Sequence, residues 1–504
     1  MSEKTVKCKI NGMEVEVSKG TTVIQAFQKL KKDIAHYCWH PGLSVAGVCR
    51  LCMVEIEGMN KLQIACNTEV QEGMVITNQS DQVKEAVRWG LEFHLINHPL
   101  DCPICDQAGE CSLQDQYMKF GTYRPAMAEP KVKKRKVVDL GSKIVLDTER
   151  CILCSRCVRF TEEVTKTHEL GIFNRGDRSE IGIFKDKPLE NDYALNTVDI
   201  CPVGALTSKE FRFQQRVWYL KTAESVCTGC STGCNIYVDY NEEGPWRVRP
   251  RYNSEVNGHW MCDTGRGLYR NVRREKRLSK AQKGQGESWT FFTSLEALKS
   301  IAKELESLSS QAVVLTGQYT IEEYQALKDF FKTAIFYHWE SSKKKGEDFD
   351  GLLLRGDRNP NTAGLKEIFS DIKSLEELEK SAQAPEILFI VGPENPEFFS
   401  DLEEKTVFFA RSKKVVWMAP GPNKFLSPNV GFWQIPVKSF FEKSGTFQNE
   451  KGLKQKISKV QSVISEALSL LEVTEVLKGE EVKKPLYEPY FKHNQFLSRK
   501  EKLW

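Results

Sequence analysis

Fifteen of the 16 cysteines in this 504-residue chain lie between Cys38 and Cys262, and residues 263–504 contain none. A secreted disulfide scaffold would be short and would spread its cysteines through the fold. Several of these cysteines are separated by two residues, and the N-terminal residues lack the apolar core of a signal peptide and the Arg/Ser-rich character of a transit peptide. This pattern indicates metal or iron–sulfur ligation.

Composition narrows the class of protein further. Hydrophobic residues make up 40% and charged residues 28% of the chain, which is typical of folded globular domains. The length predicts about three domains, and no apolar run is long enough to predict a membrane span. A net charge of +4 over this length gives no reason to expect nucleic-acid binding.

The N-terminal residues predict a β-grasp domain. Alternating apolar residues on both sides of Asn11-Gly12 predict a hairpin over residues 4–17. Thr22 then precedes a helical pattern over residues 23–30. Two strands, a helix and a cysteine-bearing loop follow the order of a β-grasp ferredoxin.

The first ligand set has three cysteines on one loop and a fourth at a distance. This spacing suits a [2Fe–2S] cluster, and Gly47 lets the loop fold tightly around it. Zinc is the alternative. The set consists of Cys38, Cys49, Cys52 and Cys66.

The second ligand set combines one imidazole with three thiols and follows a helical stretch that begins at Asp81. Taken alone, it suits zinc or an iron–sulfur cluster. His94, one turn before His98, is a competing ligand, although a structural role is the better interpretation. The set consists of His98, Cys102, Cys105 and Cys111.

Two further sets contain four cysteines each. The third set is a C-x2-C-x2-C run with a remote Cys-Pro, the pattern of a [4Fe–4S] ferredoxin. The fourth set also suits [4Fe–4S], with a zinc ribbon as the alternative. Their members are Cys151, Cys154, Cys157 and Cys201, and Cys227, Cys230, Cys234 and Cys262, which leaves Cys8 as a buried apolar side chain.

The C-terminal half predicts an α/β domain. Apolar runs at 312–315, 387–391 and 415–418 alternate with helical segments at 295–308 and 322–331, as in βαβ units with a parallel sheet. Residues 453–478 read as a helix, and the tail from residue 483 as a docking arm. No GxGxxG, Walker A or HExxH motif is present, so we expect no independent substrate site.

Several of these motifs resemble the large iron–sulfur subunit of respiratory complex I, the bacterial NADH–quinone oxidoreductase, over about residues 1–270. The similar segments are 47–55 (GVCRLCMVE), 97–106 (NHPLDCPICD), 109–115 (GECSLQD), 151–160 (CILCSRCVRF) and 198–206 (VDICPVGAL). The second set resembles that family's [4Fe–4S] segment, which implies iron–sulfur rather than zinc. Residues 442–449 (EKSGTFQN) resemble, more weakly, the molybdopterin oxidoreductase fold.

The resemblance implies an electron-relay subunit in the peripheral arm of complex I. Electrons would arrive from NADH through FMN on a partner subunit, pass through the first, third and second sets, and continue toward quinone. One [2Fe–2S] and three [4Fe–4S] clusters are implied, with the fourth set off the main path. The other peripheral-arm subunits would be partners, and the location would be the cytoplasmic side of the bacterial inner membrane.

The expected fold is a multidomain α+β chain of five parts. These are a plant-type [2Fe–2S] ferredoxin domain (1–78), a [4Fe–4S] segment with one histidine and three cysteines (79–120), a ferredoxin-like [4Fe–4S] domain (121–218), a molybdopterin-oxidoreductase-type cluster domain (219–275) and a reduced α/β domain (276–504). Without cysteine in the last part, we expect no molybdenum. An iron–sulfur subunit of an NAD-linked formate dehydrogenase or hydrogenase is the alternative function, and a zinc-bound interaction protein a third.

Overall fold

A computed structural model of the protein describes residues 4–482 apart from positions 186, 309, 343–347 and 430. The chain divides into two compact units, Met1–Tyr219 and Leu220–Trp504, and each unit has its own hydrophobic cores. Both units mix helices with strands. The predicted docking arm from residue 483 onward lies outside the described residues.

The first unit contains short strands and helices joined by long loops. Its strands are β1 (Thr5–Ile10), β2 (Met13–Ser18), β3 (Met53–Ile56), β4 (Gln63–Ile64), β5 (Val75–Thr77), β6 (Val138–Asp139), β7 (Ile144–Leu146), β8 (Leu170–Phe173), β9 (Glu180–Ile183) and β10 (Leu206–Ser208). Its helices are α1 (Val23–Lys29), α2 (Asp81–Leu95), α3 (Ser112–Phe120), α4 (Arg156–Arg159), which continues as a π-helical turn (Phe160–Val164), and α5 (Asn196–Asp199).

The predicted β-grasp arrangement is present at the start of this unit. Among the described residues the sheet order is β2-β1-β5-β3-β4, with β1 antiparallel to β2 and parallel to β5. Asn11 and Gly12 have φ angles of 49° and 79°, the left-handed pair that a two-residue hairpin turn requires. Phe27 of α1 is completely buried against the apolar side chains of this sheet.

The rest of the first unit places loops around a second core. Ser80 caps α2 by accepting a hydrogen bond from the Val83 backbone N–H. One face of α2 packs with α3 and the small sheet β10-β7-β6 in one core, and β8 pairs with β9. The loops between these short elements carry the second and third ligand sets.

The second unit begins with the antiparallel sheet of β11 (Lys221–Val226), β12 (Asn235–Asn241) and β13 (Gly244–Pro250). Its further strands are β14 (Ala281–Gly284), β15 (Trp289–Phe292), β16 (Gln311–Leu315), β17 (Ile335–His338), β18 (Lys373–Ser374), β19 (Ile387–Val391), β20 (Lys414–Ala419), β21 (Phe432–Pro436), β22 (Gly445–Gln448) and β23 (Lys454–Ile457). Its helices are α6 (Asp263–Gly267), α7 (Tyr269–Val272), α8 (Ser294–Leu305), α9 (Ile321–Phe330), α10 (Thr362–Ile368), α11 (Leu375–Glu379), α12 (Leu402–Phe409) and α13 (Leu470–Leu477).

A large sheet dominates the second unit, in the order β15-β14-β21-β20-β19-β16-β17-β18 within the described chain. The strands from β21 to β18 are parallel, while β14 and β15 run antiparallel to their neighbours. Every residue of β19 is buried, as expected for a strand covered on both faces. The α/β architecture and the three predicted strands are therefore confirmed.

One predicted element is wrong. Residues 453–478 are not a single helix, because Lys454–Ile457 pairs with Gly445–Gln448 as a hairpin and α13 begins only at Leu470. Lys454, Gln455, Lys456 and Ile457 alternate between exposed and buried positions, which is the two-residue period of a strand.

Candidate iron–sulfur sites

The first ligand set lies where the loop after α1 folds against β3 and β4. Cys38 and Cys49 are in that loop, Cys52 directly precedes β3 and Cys66 follows β4. All four side chains are buried, with at most 6% of any residue exposed. The Sγ atoms of Cys38 and Cys49 are 3.5 Å apart, and the Tyr37 backbone N–H donates to Cys49 Sγ at 3.4 Å. The fold thus gathers all four predicted thiols.

The backbone of this loop uses left-handed conformations to turn tightly. Gly47 has a φ of 65° and Arg50 a φ of 54°. A Cβ atom at Gly47 would lie 3.3 Å from Ile64 Cδ1, which is tighter than most contacts of real Cβ atoms. Glycine at this position therefore meets both a conformational and a steric requirement.

The thiols of the first set form two interacting pairs. The hydrogen bond between Cys38 and Cys49 and, less strongly, the positive charge of Arg159 lower the pKa of Cys38 to about 5, and the same hydrogen bond raises the pKa of Cys49. A hydrogen bond likewise lowers the pKa of Cys66 and raises that of Cys52. One member of each pair is thus favoured as the thiolate, the form that binds iron.

The second ligand set surrounds a cavity of about 620 Å³ formed by the end of α2, a 3₁₀ turn (Cys102–Ile104) and the start of α3. The walls of this cavity carry all four predicted ligands, His98, Cys102, Cys105 and Cys111. Cys105 and Cys111 are buried, whereas Cys102 is exposed. The size of this cavity, in addition to the spacing of the ligands in the sequence, therefore suits a group larger than one ion.

Two observations indicate that this cavity fits an iron–sulfur group. His98 Nδ1 is buried without a hydrogen-bond partner, and burial together with the charges of Arg150 and Lys131 lowers the pKa of His98 to about 4. The imidazole is therefore neutral and able to ligate. In addition, a Cβ atom at Gly204 would collide with Cys105 Sγ, so the glycine leaves the space that this thiol occupies.

His94, the competing histidine, has a different environment. Its Nδ1 lies 2.6 Å from the Gly90 carbonyl oxygen one turn earlier, and its ring contacts the ring of Tyr37 edge to face. These are the contacts of a structural histidine, and they agree with the interpretation drawn from the sequence.

The third ligand set lines a narrow cavity with apolar walls. All four predicted ligands face it, and its walls include Leu146 and Ile181. Leu153 and Ser155, between the first three cysteines, have left-handed φ angles of 55° and 59°. Burial raises the pKa of every thiol in the set, to about 11 for Cys154. A free thiolate is costly here, whereas a bound cation would deprotonate the thiols.

The fourth ligand set lies in the second unit, between β11 and β12 and at the start of α6. Its four cysteines are each at most 5% exposed, and burial raises the pKa of Cys227 to about 12. Cys262 caps α6, and its Sγ accepts a hydrogen bond from the Gly265 backbone N–H at 3.3 Å. A Cβ atom at Gly265 would lie 2.9 Å from Cys227 Sγ, so this glycine also makes room for a thiol.

Side chains that the sequence did not single out connect the first and third sets. The Arg159 guanidinium, on α4, donates to the carbonyl oxygens of Cys38, Ser44 and Cys154. Arg156, one turn earlier, donates to the carbonyl oxygens of Trp39 at 2.6 Å and Ile200 at 3.1 Å. In the sequence, Arg156 directly precedes Cys157 and Arg159 follows it by two residues. This closeness to a predicted ligand was the available sequence signal for the two arginines.

Near the second set, Arg150 plays a similar part. Its guanidinium donates two hydrogen bonds to Asp101, at 3.2 and 3.0 Å, and Asp101 directly precedes Cys102. Arg150 itself directly precedes Cys151 of the third set. A hydrogen-bonded charge pair therefore joins the segments that carry these two sets.

The carboxyl ends of the parallel strands in the second unit are filled by charged side chains of the chain itself. Arg277 and Glu442 form an ion pair at 2.6 Å, and Lys443 and Glu323 another at 2.8 Å, all nearly inaccessible to solvent. Glu394, after β19, is also buried, and burial raises its pKa to about 7. This edge is where α/β sheets usually bind ligands.

The described residues show neither a preformed metal-ion site nor a membrane span. No group of three His, Cys, Asp or Glu side chains there is arranged to hold a metal ion. Across the same positions, every helix is too short or too polar to span a lipid bilayer.

Comparison with known families gives four matches along the chain. Residues 3–81 match a 2Fe-2S iron–sulfur cluster binding domain, and residues 90–125 the NADH-ubiquinone oxidoreductase-G iron–sulfur binding region. Residues 141–207 match the ferredoxin-like domain of NADH-quinone oxidoreductase subunit 3, and residues 220–274 the molybdopterin oxidoreductase Fe4S4 domain. Each ligand set lies inside one of these regions.

Curated relatives agree with these matches. The NADH-quinone oxidoreductase G subunit of Rickettsia bellii is 39% identical over 61% of this chain and 45% of its own length. The chain is similar to the NADH-quinone oxidoreductase G subunit. The mitochondrial NADH dehydrogenase [ubiquinone] iron-sulfur protein 1 of Solanum tuberosum is 39% identical over 65% of this chain and 44% of its own length, and the G subunit of Streptomyces coelicolor 38% identical over 66% and 40%.

The chain therefore spans less than half the length of these curated relatives. Their names confirm the resemblance seen in the cysteine motifs and do not favour the formate dehydrogenase or hydrogenase alternative. A chain from the crystal structure of NAD+-reducing [NiFe]-hydrogenase in the H2-reduced state is 28% identical over 42% of this chain and 91% of its own length, with a TM-score of 0.38.

Proposed function

We propose that this chain is an electron-relay subunit of an NADH–quinone oxidoreductase. Electrons from NADH reach it through FMN on a partner subunit and leave toward quinone. The observation that supports the proposal is that fifteen cysteines and one histidine fall into four sets, each inside a region similar to an iron–sulfur domain.

We assign the cofactors of this proposal from the ligand sets. The first set holds a [2Fe–2S] cluster, and the second, third and fourth sets hold one [4Fe–4S] cluster each. When bound, such clusters accept and release single electrons without other chemistry. The imidazole of His98 makes its site less negative than four thiolates would, which favours the reduced state, as in His-ligated Rieske centres.

The protein's own part is to hold and insulate these groups. The buried cysteines of the first and fourth sets, and the apolar walls around the third set, keep water away from the electron carriers. Backbone N–H groups aimed at sulfur, as at Cys49, Cys151 and Cys262, stabilise negative charge on the ligands. These features tune the potential of each site without any proton or group transfer.

We also propose how the chain is divided into domains. It has five parts, which end at residues 78, 120, 218, 275 and 504, and the first four parts each carry one ligand set. The C-terminal α/β part carries no molybdenum, which the buried ion pairs at the carboxyl edge of its sheet support. Other peripheral-arm subunits are the partners, and the chain is peripheral on the cytoplasmic side of the membrane, reaching it only through them.

Replacing Cys154 tests the ligand assignment. The full chain is purified without oxygen, and its iron, acid-labile sulfide and EPR spectrum are measured. We expect about 14 iron atoms per wild-type chain from the cluster formulae. We expect Cys154→Ala to lose one tetranuclear signal and, in the assembled complex, NADH–quinone turnover.

Cys8 provides the matched control, because it is buried in the β-grasp core and belongs to no set. Cys8→Ala should keep all iron and every signal. An iron-free wild-type chain with its native fold, or an unchanged spectrum in Cys154→Ala, would contradict the proposal.

A further inference from the structure

We infer that Arg159 is a positioning residue shared by the first and third ligand sets, which fixes the two sets relative to each other and stabilises the reduced state of both. The inference rests on the proposed function, since it concerns how this chain holds its electron carriers. It adds a residue outside the ligand sets to that relay.

The contacts of one guanidinium carry the inference. Arg159 Nη2 donates to the Cys38 carbonyl oxygen at 2.5 Å and makes a longer contact of 3.4 Å with the Cys154 carbonyl oxygen. Cys38 belongs to the first set and Cys154 to the third. Nη1 donates to the Ser44 carbonyl oxygen, within the loop of the first set. A single planar group thus bonds to ligand residues of both sets.

Neighbouring side chains on the same helical segment hold the same loop. Glu163 accepts hydrogen bonds from the Ser44 backbone N–H at 2.8 Å and from its hydroxyl group. Arg156 donates to the carbonyl oxygens of Trp39 and Ile200, which are the neighbours of Cys38 and Cys201. Arg156 and Arg159 lie on α4, and Glu163 follows in the π-helical turn. Their bonds to the loop of the first set hold Arg159 in a fixed position.

The positive charge of Arg159 should also affect the reduction potentials of both sites. Arg159 is only 8% exposed, so solvent screens its charge weakly. Carbonyl oxygens hydrogen-bond the guanidinium without cancelling its net charge, and the charge therefore acts on both sets. Reduction adds an electron to a cluster, and a nearby positive charge favours that state. Removing the charge should lower both reduction potentials together.

The test is a redox titration of the full chain with its clusters bound, followed by EPR. Arg159→Gln keeps an N–H donor near Cys38 but removes the charge. We expect the reduced-to-oxidised ratio of both signals, measured at the wild-type midpoints, to fall about tenfold, the lower end of the roughly 10–100-fold effect that outer-shell partners have on metal affinity or activity. Arg159→Lys, which keeps the charge, should leave both midpoints close to wild type.

Arg135 provides a matched control in the same unit, because its side chain is 62% exposed and its guanidinium pairs with Glu180 at 2.8 Å. Arg135→Gln should move neither signal. Iron and sulfide are measured first in every variant. A wild-type chain without iron would reject the proposed function itself.

If the wild type holds its clusters, two results would overturn the inference about Arg159. One is an Arg159→Gln variant with full iron in which neither signal, or only one, shifts. The other is an Arg159→Lys variant whose signals both shift to lower potential although the charge is kept. If the Arg159→Gln variant loses iron, the Arg159→Lys variant alone tests the inference.

Discussion

Gly204→Ala is expected to disrupt the second ligand set, although Gly204 follows the Cys-Pro of the third. A Cβ atom at this position would meet Cys105 Sγ at a distance that real Cβ contacts essentially never show, and would lie 3.0 Å from Gln107 Cβ. The backbone at Gly204 is not in the left-handed region, so the effect would be steric. Cys105 would have to move.

The size of the effect follows from two independent considerations. Overpacking by one methyl group usually costs about 1–3 kcal/mol. Disturbing the surroundings of a metal ligand usually costs 10–100-fold in metal affinity, which is about 1.4–2.8 kcal/mol. Both values are enough to deplete the second site in a chain purified under limiting iron and sulfide. We expect the iron content to fall by about four atoms per chain.

The assay compares EPR spectra of anaerobically purified variants, with Cys105→Ala as the reference for loss of the second set and Cys154→Ala for loss of the third. Gly204→Ala should resemble the former. Gly267→Ala is the control, because a Cβ atom in this helix would meet only the flexible end of the Arg270 side chain. Retention of all signals in Gly204→Ala, or loss of the third set alone, would refute the steric reasoning.

Two further predictions concern the second unit. Cys230→Ala should remove one tetranuclear signal but reduce NADH–quinone turnover less than Cys154→Ala does, because the resemblance implies that the fourth set lies off the main electron path; complete loss of electron transfer in an assembled complex would reject this. Glu394 has a folded pKa of about 7 against an ordinary value of 4.5, so the folded state keeps a proton that the unfolded chain releases between these pH values. The free energy of unfolding should therefore fall, by roughly 3 kcal/mol at most, as pH rises from 4.5 to 7. Glu394→Gln should flatten this part of the profile in urea unfolding at pH 5 and pH 8, and an unchanged slope would contradict the burial argument.

Local sequence signals predicted a large part of the fold. The hairpin at Asn11-Gly12 and the strands Ile387–Val391 and Lys414–Ala419 follow from turn chemistry and continuous apolar runs. The error at residues 453–478 has a physical reason as well. Lys454–Ile457 is a short strand, and it is held by pairing with Gly445–Gln448 rather than by a strong pattern of its own.

The candidate sites were likewise predictable from the sequence only in part. Cysteine spacing was enough to propose the fifteen cysteine ligands, because three of the four members of most sets lie on one loop. Spacing could not show that Gly204 must be small for Cys105, since the two residues are 99 positions apart in sequence and meet only through the packing of the loops. Nor could it show that His98 Nδ1 is buried without a partner.

The contacts around Arg159 show why long-range connections escape a reading of the sequence. Its bonds to Ser44 and Cys38 span 115 and 121 residues. No sequence pattern around an arginine that follows a cysteine predicts which distant carbonyl oxygen it will bind. In the proposed function the ligand residues define where electrons reside, and spacing predicts them because one small inorganic group must be enclosed locally. The distance and energy difference between two such groups depend instead on side chains that join separate loops. Those side chains can be recognised only once the backbone carbonyls that they bind have been brought together by the fold.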